Sequence, residues 1–225
     1  LKKGLSSKET DIQITFHHFC AINNFTFLPI IIIQNLFGEV AVARLFFMNL
    51  GCQIGLWTIG VGILGRRNFK EAITKIFSPS IIAITGSLFL SISGLNAYTP
   101  DILITITQYC GSIAVPLILL IIGASLYETS LTYHLRDLLY LSFIRLVLLP
   151  FLFLWGLSFL NLTKDALVIA VVVGIMPVAL SSTPLTRRFG GSPLFAASAA
   201  LFTTLASMLT VPAWLYIIRW VIKTV

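Results

Sequence analysis

Residues 168–191 read VIAVVVGIMPVALSSTPLTRRFGG. The first half is apolar enough for a membrane interior. Pro177, the hydroxyl cluster Ser181-Ser182-Thr183 and Pro184 then interrupt it. An interior proline removes a backbone hydrogen bond and collides with the preceding turn, at about 3 kcal/mol. In lipid the freed groups must be covered by protein or by a water-filled cavity. The stretch predicts a membrane helix broken between 177 and 184, and a broken membrane helix exposes ends that attract ions and charged solutes.

A second interruption lies upstream. In residues 17–39, HHFCAINNFTFLPIIIIQNLFGE, Asn23 and Asn24 sit inside an apolar run and Pro29 follows. Both breaks lead to a glycine and then to a long helix with small residues: Gly38 before Ala41 and Ala43, Gly190 before Ala196 and Ala197. Counted as spans, the two copies lie five helices apart. An odd repeat length inverts the second copy, which is the pattern of an inverted-repeat transporter whose site lies where its broken helices meet.

The rest of the chain agrees with a membrane setting. Of 225 residues, 57% are apolar and 10% charged, whereas a soluble domain carries about 25% charged residues. Seven stretches without Asp, Glu, Lys or Arg (12–38, 45–65, 76–100, 102–127, 146–163, 166–186, 189–218) are each near the roughly 20 residues that cross a bilayer. The expected fold is an all-α polytopic membrane protein of seven spans. Long continuous runs argue against a β-barrel, whose segments alternate over about ten residues.

A net charge of +7 comes without a basic patch interleaved with aromatics, so no nucleic acid partner is expected. Assigned to alternating sides, Lys2, Lys3, Lys8, Arg66, Arg67, Lys70, Lys75, Arg136, Arg187 and Arg188 fall together, against Arg44, Lys164, Arg219 and Lys223. The positive side faces the cytoplasm. The chain start is therefore expected inside and the C-terminus outside, in a plasma membrane or a bacterial inner membrane. Cys20, Cys52 and Cys110 have no metal or disulfide spacing and read as small buried hydrophobes.

Several further residues invite a role. Asn23 and Asn24 can donate to a carboxylate, or can cap broken helix ends. Ser181, Ser182 and Thr183 read the same way. Arg145 is the one charge well inside a span, which makes it a candidate for substrate contact, although it is near enough to the edge to snorkel. His17 and His18 are expected at the cytoplasmic interface. Asn49, Gln53 and Gln108 can line a cavity or join helices. No nucleophile and base pair, phosphate loop or metal spacing is present, so an enzyme and a resident cofactor are not expected.

These motifs resemble a known family. Met176-Pro177-Val178-Ala179 through Arg188-Phe189-Gly190-Gly191, running on to Thr203-Thr204-Leu205-Ala206 and Pro212, resembles the last broken helix and final helix of the auxin efflux carriers, bacterial permeases included. Asn24 to Pro29, Leu36-Phe37-Gly38-Glu39 and Trp57-Thr58-Ile59-Gly60-Val61 are similar to its fourth and fifth helices. Pro116-Leu117 with Gly123-Ala124-Ser125, and Arg145-Leu146 to Pro150, are similar to its seventh and eighth.

The resemblance implies a ten-helix carrier of small organic anions, such as dicarboxylates or auxin-like carboxylates. It works by alternating access around two crossed broken helices, with a homodimer possible. Residues 1–67 then hold helices four and five of the first repeat and 68–225 the second repeat, and three helices precede Leu1, which is not a methionine. The resemblance and the breaks together put Asn23, Asn24, Pro29, Arg145, Pro177, Ser181, Ser182 and Thr183 at the substrate. The coupling ion, sodium or a proton, stays open. Thr26 and Phe27 stand where plant members have glycine and asparagine. A sodium-coupled carrier of the bile-acid type and a seven-helix receptor or sensor are the competing readings.

Overall fold

Apolar runs set the helices, and short polar or glycine-bearing segments end them. In the computed structural model, which describes residues 4–65, 79–127 and 133–224, the chain is all helix and connecting turn among the described residues. In order come α1 (Thr10–Ala21), α2 (Phe27–Phe37), α3 (Glu39–Gly55), α4 (Val61–Leu64), α5 (Pro79–Ile92), α6 (Asp101–Tyr127), α7 (Leu135–Phe143), α8 (Leu149–Leu157), α9 (Lys164–Gly174), α10 (Ser182–Phe189) and α11 (Pro193–Thr224). A π turn at Leu56–Gly60 joins α3 to α4, and another at Ile144–Leu148 joins α7 to α8.

The expected seven spans of a ten-helix fold are corrected by this geometry. Among the described residues three stretches are long and apolar enough to cross a membrane: Phe27–Leu64, Leu135–Leu157 and Pro193–Ile218. A charge-free run reports hydrophobicity and not helix continuity. The run at 12–38 is divided into α1 and α2, and that at 166–186 into the 11-residue α9 and the 8-residue α10. Helix α5 has only 14 residues. The basic residues Lys2, Lys3, Arg66, Arg67, Lys70 and Lys75 lie outside the described residues.

The stretch Phe27–Leu64 folds back on itself. Gly38, at φ 78° and ψ −176°, takes a backbone shape that side chains disfavour, and it turns α2 into α3. The two helices then run antiparallel, so that Asn49 Nδ2 donates to Thr26 Oγ1 at 3.3 Å across the hairpin. At the other end of the molecule the backbones of two helix ends touch. A Cβ on Gly190 (φ 114°) would stand 2.6 Å from the Leu64 carbonyl oxygen, so only glycine lets α10 end against α4.

The two larger packed clusters among the described residues hold the elements together. One joins Ile33 of α2, Leu45 of α3 and Val171 to Val173 of α9; the other joins Phe16 and Phe19 of α1, Leu138 and Leu141 of α7, and Phe195 and Ala199 of α11. Large apolar side chains also cover the outside, with Phe47 63% and Leu209 80% exposed. A soluble monomer rarely shows so much contiguous apolar surface, and on these long helices it is the surface presented to lipid. The protein is a multi-pass membrane protein. Cys110 lies on such a face and is exposed, while Cys20 and Cys52 are half-buried, against the expected burial of all three. An apolar run on a lipid-facing helix need not be packed inside protein.

Candidate functional site

The two breaks meet. Helix α1 ends at Ala21 and α2 begins at Phe27; α9 ends at Gly174 and α10 begins at Ser182. Between them the backbone N–H of Asn24 donates to the Pro177 carbonyl at 2.8 Å, joining the unwound segments directly. Each supplies the other with a partner that its own helix has lost, as a lipid setting demands.

The side chains of the first break serve both the ends and the space beside them. Asn24 Oδ1 accepts from the backbone N–H of Phe27 at 3.1 Å and so caps α2. Asn23 Nδ2 donates to the Val173 carbonyl at the end of α9. Pro29 is the third residue of α2, buried, at a position whose N–H has no helical acceptor to lose. The break therefore precedes Pro29 instead of being made by it.

In the second break Ser182 is buried and Ser181 exposed. Thr183 Oγ1 is buried with no hydrogen-bond partner among the described residues. Ser182 Oγ lies 3.1 Å from His18 Nε2, and His18 Nδ1 lies 2.9 Å from the Gly60 carbonyl. His18 is 0% exposed, and both its ring nitrogens face partners inside the protein. It ties α1 to the π turn after α3 and to the start of α10.

Arg145, on the π turn after α7, is 7% exposed. It does not snorkel. Its Nε donates to the Met176 carbonyl at 3.1 Å and its Nη2 to the Gly174 carbonyl at 3.2 Å. No carboxylate pairs with it among the described residues. Arg145 thus caps the carbonyl end of α9 from behind the crossing.

A cavity of about 460 Å³ lies beside the crossing, within the range of small-molecule sites. Asn23, Asn24 and Ser181 line it, while Pro29, Pro177, Ser182, Thr183 and Arg145 do not. Its other polar wall comes from α3 and the turn after it: Asn49, Gln53 and Trp57. These stand four residues apart on one helix face, a spacing visible in the sequence although Trp57 was valued there only as part of a motif. Asn49 Oδ1 and Trp57 Nε1 are buried without a partner among the described residues. Among the described residues no Asp, Glu, Lys or Arg lines the cavity, so these offer amide and hydroxyl groups on an uncharged wall. Among the described residues no cluster of His, Cys, Asp or Glu could hold a metal ion.

Comparison with known proteins adds two findings. The family model described as membrane transport protein matches residues 68–215, well over half of the chain. An uncharacterized transporter of Methanocaldococcus jannaschii is 26% identical over 202 residues, which are 88% of this chain and 66% of that protein. The chain thus spans just under two thirds of the length of that curated relative. No solved structure matches the chain.

Proposed function

Because the chain belongs to the membrane transport protein family, we propose that it is a secondary carrier moving small organic anions by alternating access. Its membership makes it a transport protein and not an enzyme. The observation that carries the proposal is the Asn24 to Pro177 backbone bond with a solute-sized cavity beside it. Crossed, unwound segments that join one another are a place where two parts of a membrane protein can rock around a bound solute.

The uncharged polar wall suits a carboxylate. Donors from the Gln53 amide, Trp57 Nε1 and the Ser181 hydroxyl offer hydrogen bonds, and the start of α10 adds the positive end of its dipole. Dicarboxylates and auxin-like carboxylates are the proposed substrate class. Residues 1–67 are proposed as the C-terminal part of a first inverted repeat and 68–225 as the second repeat, each with one broken helix. The proposed setting is the plasma membrane, or the inner membrane of a bacterium, with the chain start cytoplasmic and the C-terminus outside. Pairing into a homodimer belongs to the same proposal.

The test is uptake of labelled malate and malonate into proteoliposomes holding the full-length protein. Wild type should accumulate label, and Asn24→Ala with Ser181→Ala should abolish uptake while the purified protein stays monodisperse. Uptake that survives in the double variant would remove the crossing from the substrate path.

A further inference from the structure

The carbonyl end of α9 is a cation site by its physics. The last carbonyls of a helix have no partner within it, and they carry the negative end of the helix dipole. In a broken membrane helix this is where a mobile coupling cation is held. In this protein the end is already occupied. Arg145 donates to the carbonyls of Gly174 and Met176, and Asn23 to that of Val173.

We propose that Arg145 is a tethered cation, occupying the place of a mobile coupling ion and giving the adjoining cavity one fixed positive charge. The inference rests on the carrier reading above and deepens it, naming how substrate charge is met. Asn23 connects the two features, since its amide binds the end of α9 and lines the cavity. Among the described residues no carboxylate neutralises the guanidinium and no acidic side chain lines the cavity. The compensating charge is then the substrate's own carboxylate. Arg145 is a positioning residue, acting through the α9 end and through the field it sets. The carrier should turn over without sodium.

Two variants separate charge from capping. Arg145→Lys keeps the charge, whereas Arg145→Gln keeps an amide able to donate to one carbonyl and loses the charge. The probes are labelled malate in proteoliposomes, with sodium or choline as the cation, and the melting of detergent-solubilised protein in sodium chloride against choline chloride at equal ionic strength.

Wild type should take up malate equally in both salts and melt at the same temperature in both. Arg145→Gln should raise KM by about tenfold, the worth of one charge-assisted interaction, and should gain a sodium-specific rise in melting temperature. Arg145→Lys should stay near wild type in KM. Sodium-dependent uptake, or sodium-specific stabilisation of wild type, would overturn the proposal, as would an unchanged KM in Arg145→Gln. A wild type that moves no carboxylate in either salt would overturn the carrier reading instead, and the melting comparison still decides the role of Arg145.

Discussion

His18 Nε2 on α1 and Ser182 Oγ at the start of α10 lie 3.1 Å apart, although 164 residues separate them in the chain. The other ring nitrogen settles which group donates. Nδ1 faces the carbonyl of Gly60, which can only accept, so Nδ1 carries the hydrogen. In the neutral ring Nε2 then accepts from the Ser182 hydroxyl. Replacing His18 by Phe strands the Gly60 carbonyl and the Ser182 hydroxyl, at about 1–3 kcal/mol per buried group. Adding Ser182→Ala removes one of the two stranded groups. Melting of purified protein should show the double variant losing less than the sum of the singles; strictly additive losses would mean that the two do not interact.

Gln53 lines the cavity one turn from Asn49 and one from Trp57. Gln53→Glu keeps the shape and adds a negative charge to a wall that has none among the described residues. Malate uptake should fall by about tenfold or more through KM, because like charges disfavour one another at short range. Gln53→Ala should cost less. A Glu variant no worse than the Ala variant would place the substrate elsewhere.

Arg44 and Asp165 form an ion pair between α3 and the first turn of α9. Arg44 stands two residues before Phe46, which lines the cavity. Both partners are about half exposed or more, so the pair is worth at most about 1 kcal/mol and adds little to folding. In an equilibrium between two carrier states, about 1 kcal/mol is roughly a fivefold shift. Asp165→Asn should leave melting unchanged and alter uptake velocity. Exchanging the two charges, Arg44→Asp with Asp165→Arg, should restore it. Velocity unchanged by Asp165→Asn would show that the pair does not bias the two states.

Gly60 has no room for a side chain. A Cβ there would stand 2.9 Å from Ile22 Cγ1, whereas at Gly51, on the same long helix, nothing lies within 4 Å. Gly60→Ala should destabilise by about 1–3 kcal/mol through overpacking. Gly51→Ala should be neutral or slightly stabilising, since alanine is the better helix former. Equal melting temperatures for the two variants would show that the approach of α1 to the π turn is not tight.

The breaks were legible because Pro177, the hydroxyl cluster and the asparagine pair place polar groups where a membrane helix has none. The resemblance to the auxin efflux carriers stands at the level of the family. The number of spans was not legible, because charge-free runs such as 12–38 hide the points where the backbone turns. Arg145 stood out as the one charge well inside a span, near enough to its edge to snorkel, and only the end of α9, brought close by the fold, explains why it turns inward. His18 was hidden for the same reason. Its partners, Gly60 and Ser182, are distant in sequence and carry no local pattern.

The π turns at Leu56–Gly60 and Ile144–Leu148 fit one residue more into a turn than an α-helix does. Each also presents a carbonyl to a side chain from another element: Gly60 to His18 and Leu146 to Trp214 Nε1, the latter at 2.8 Å. Chain length inside these five-residue windows is therefore tied to partners far away. Deleting a single residue from either would restore regular winding and rotate everything beyond by about 100°, turning that carbonyl from its partner. Natural one-residue gaps at these windows should travel with loss of the matching histidine or tryptophan.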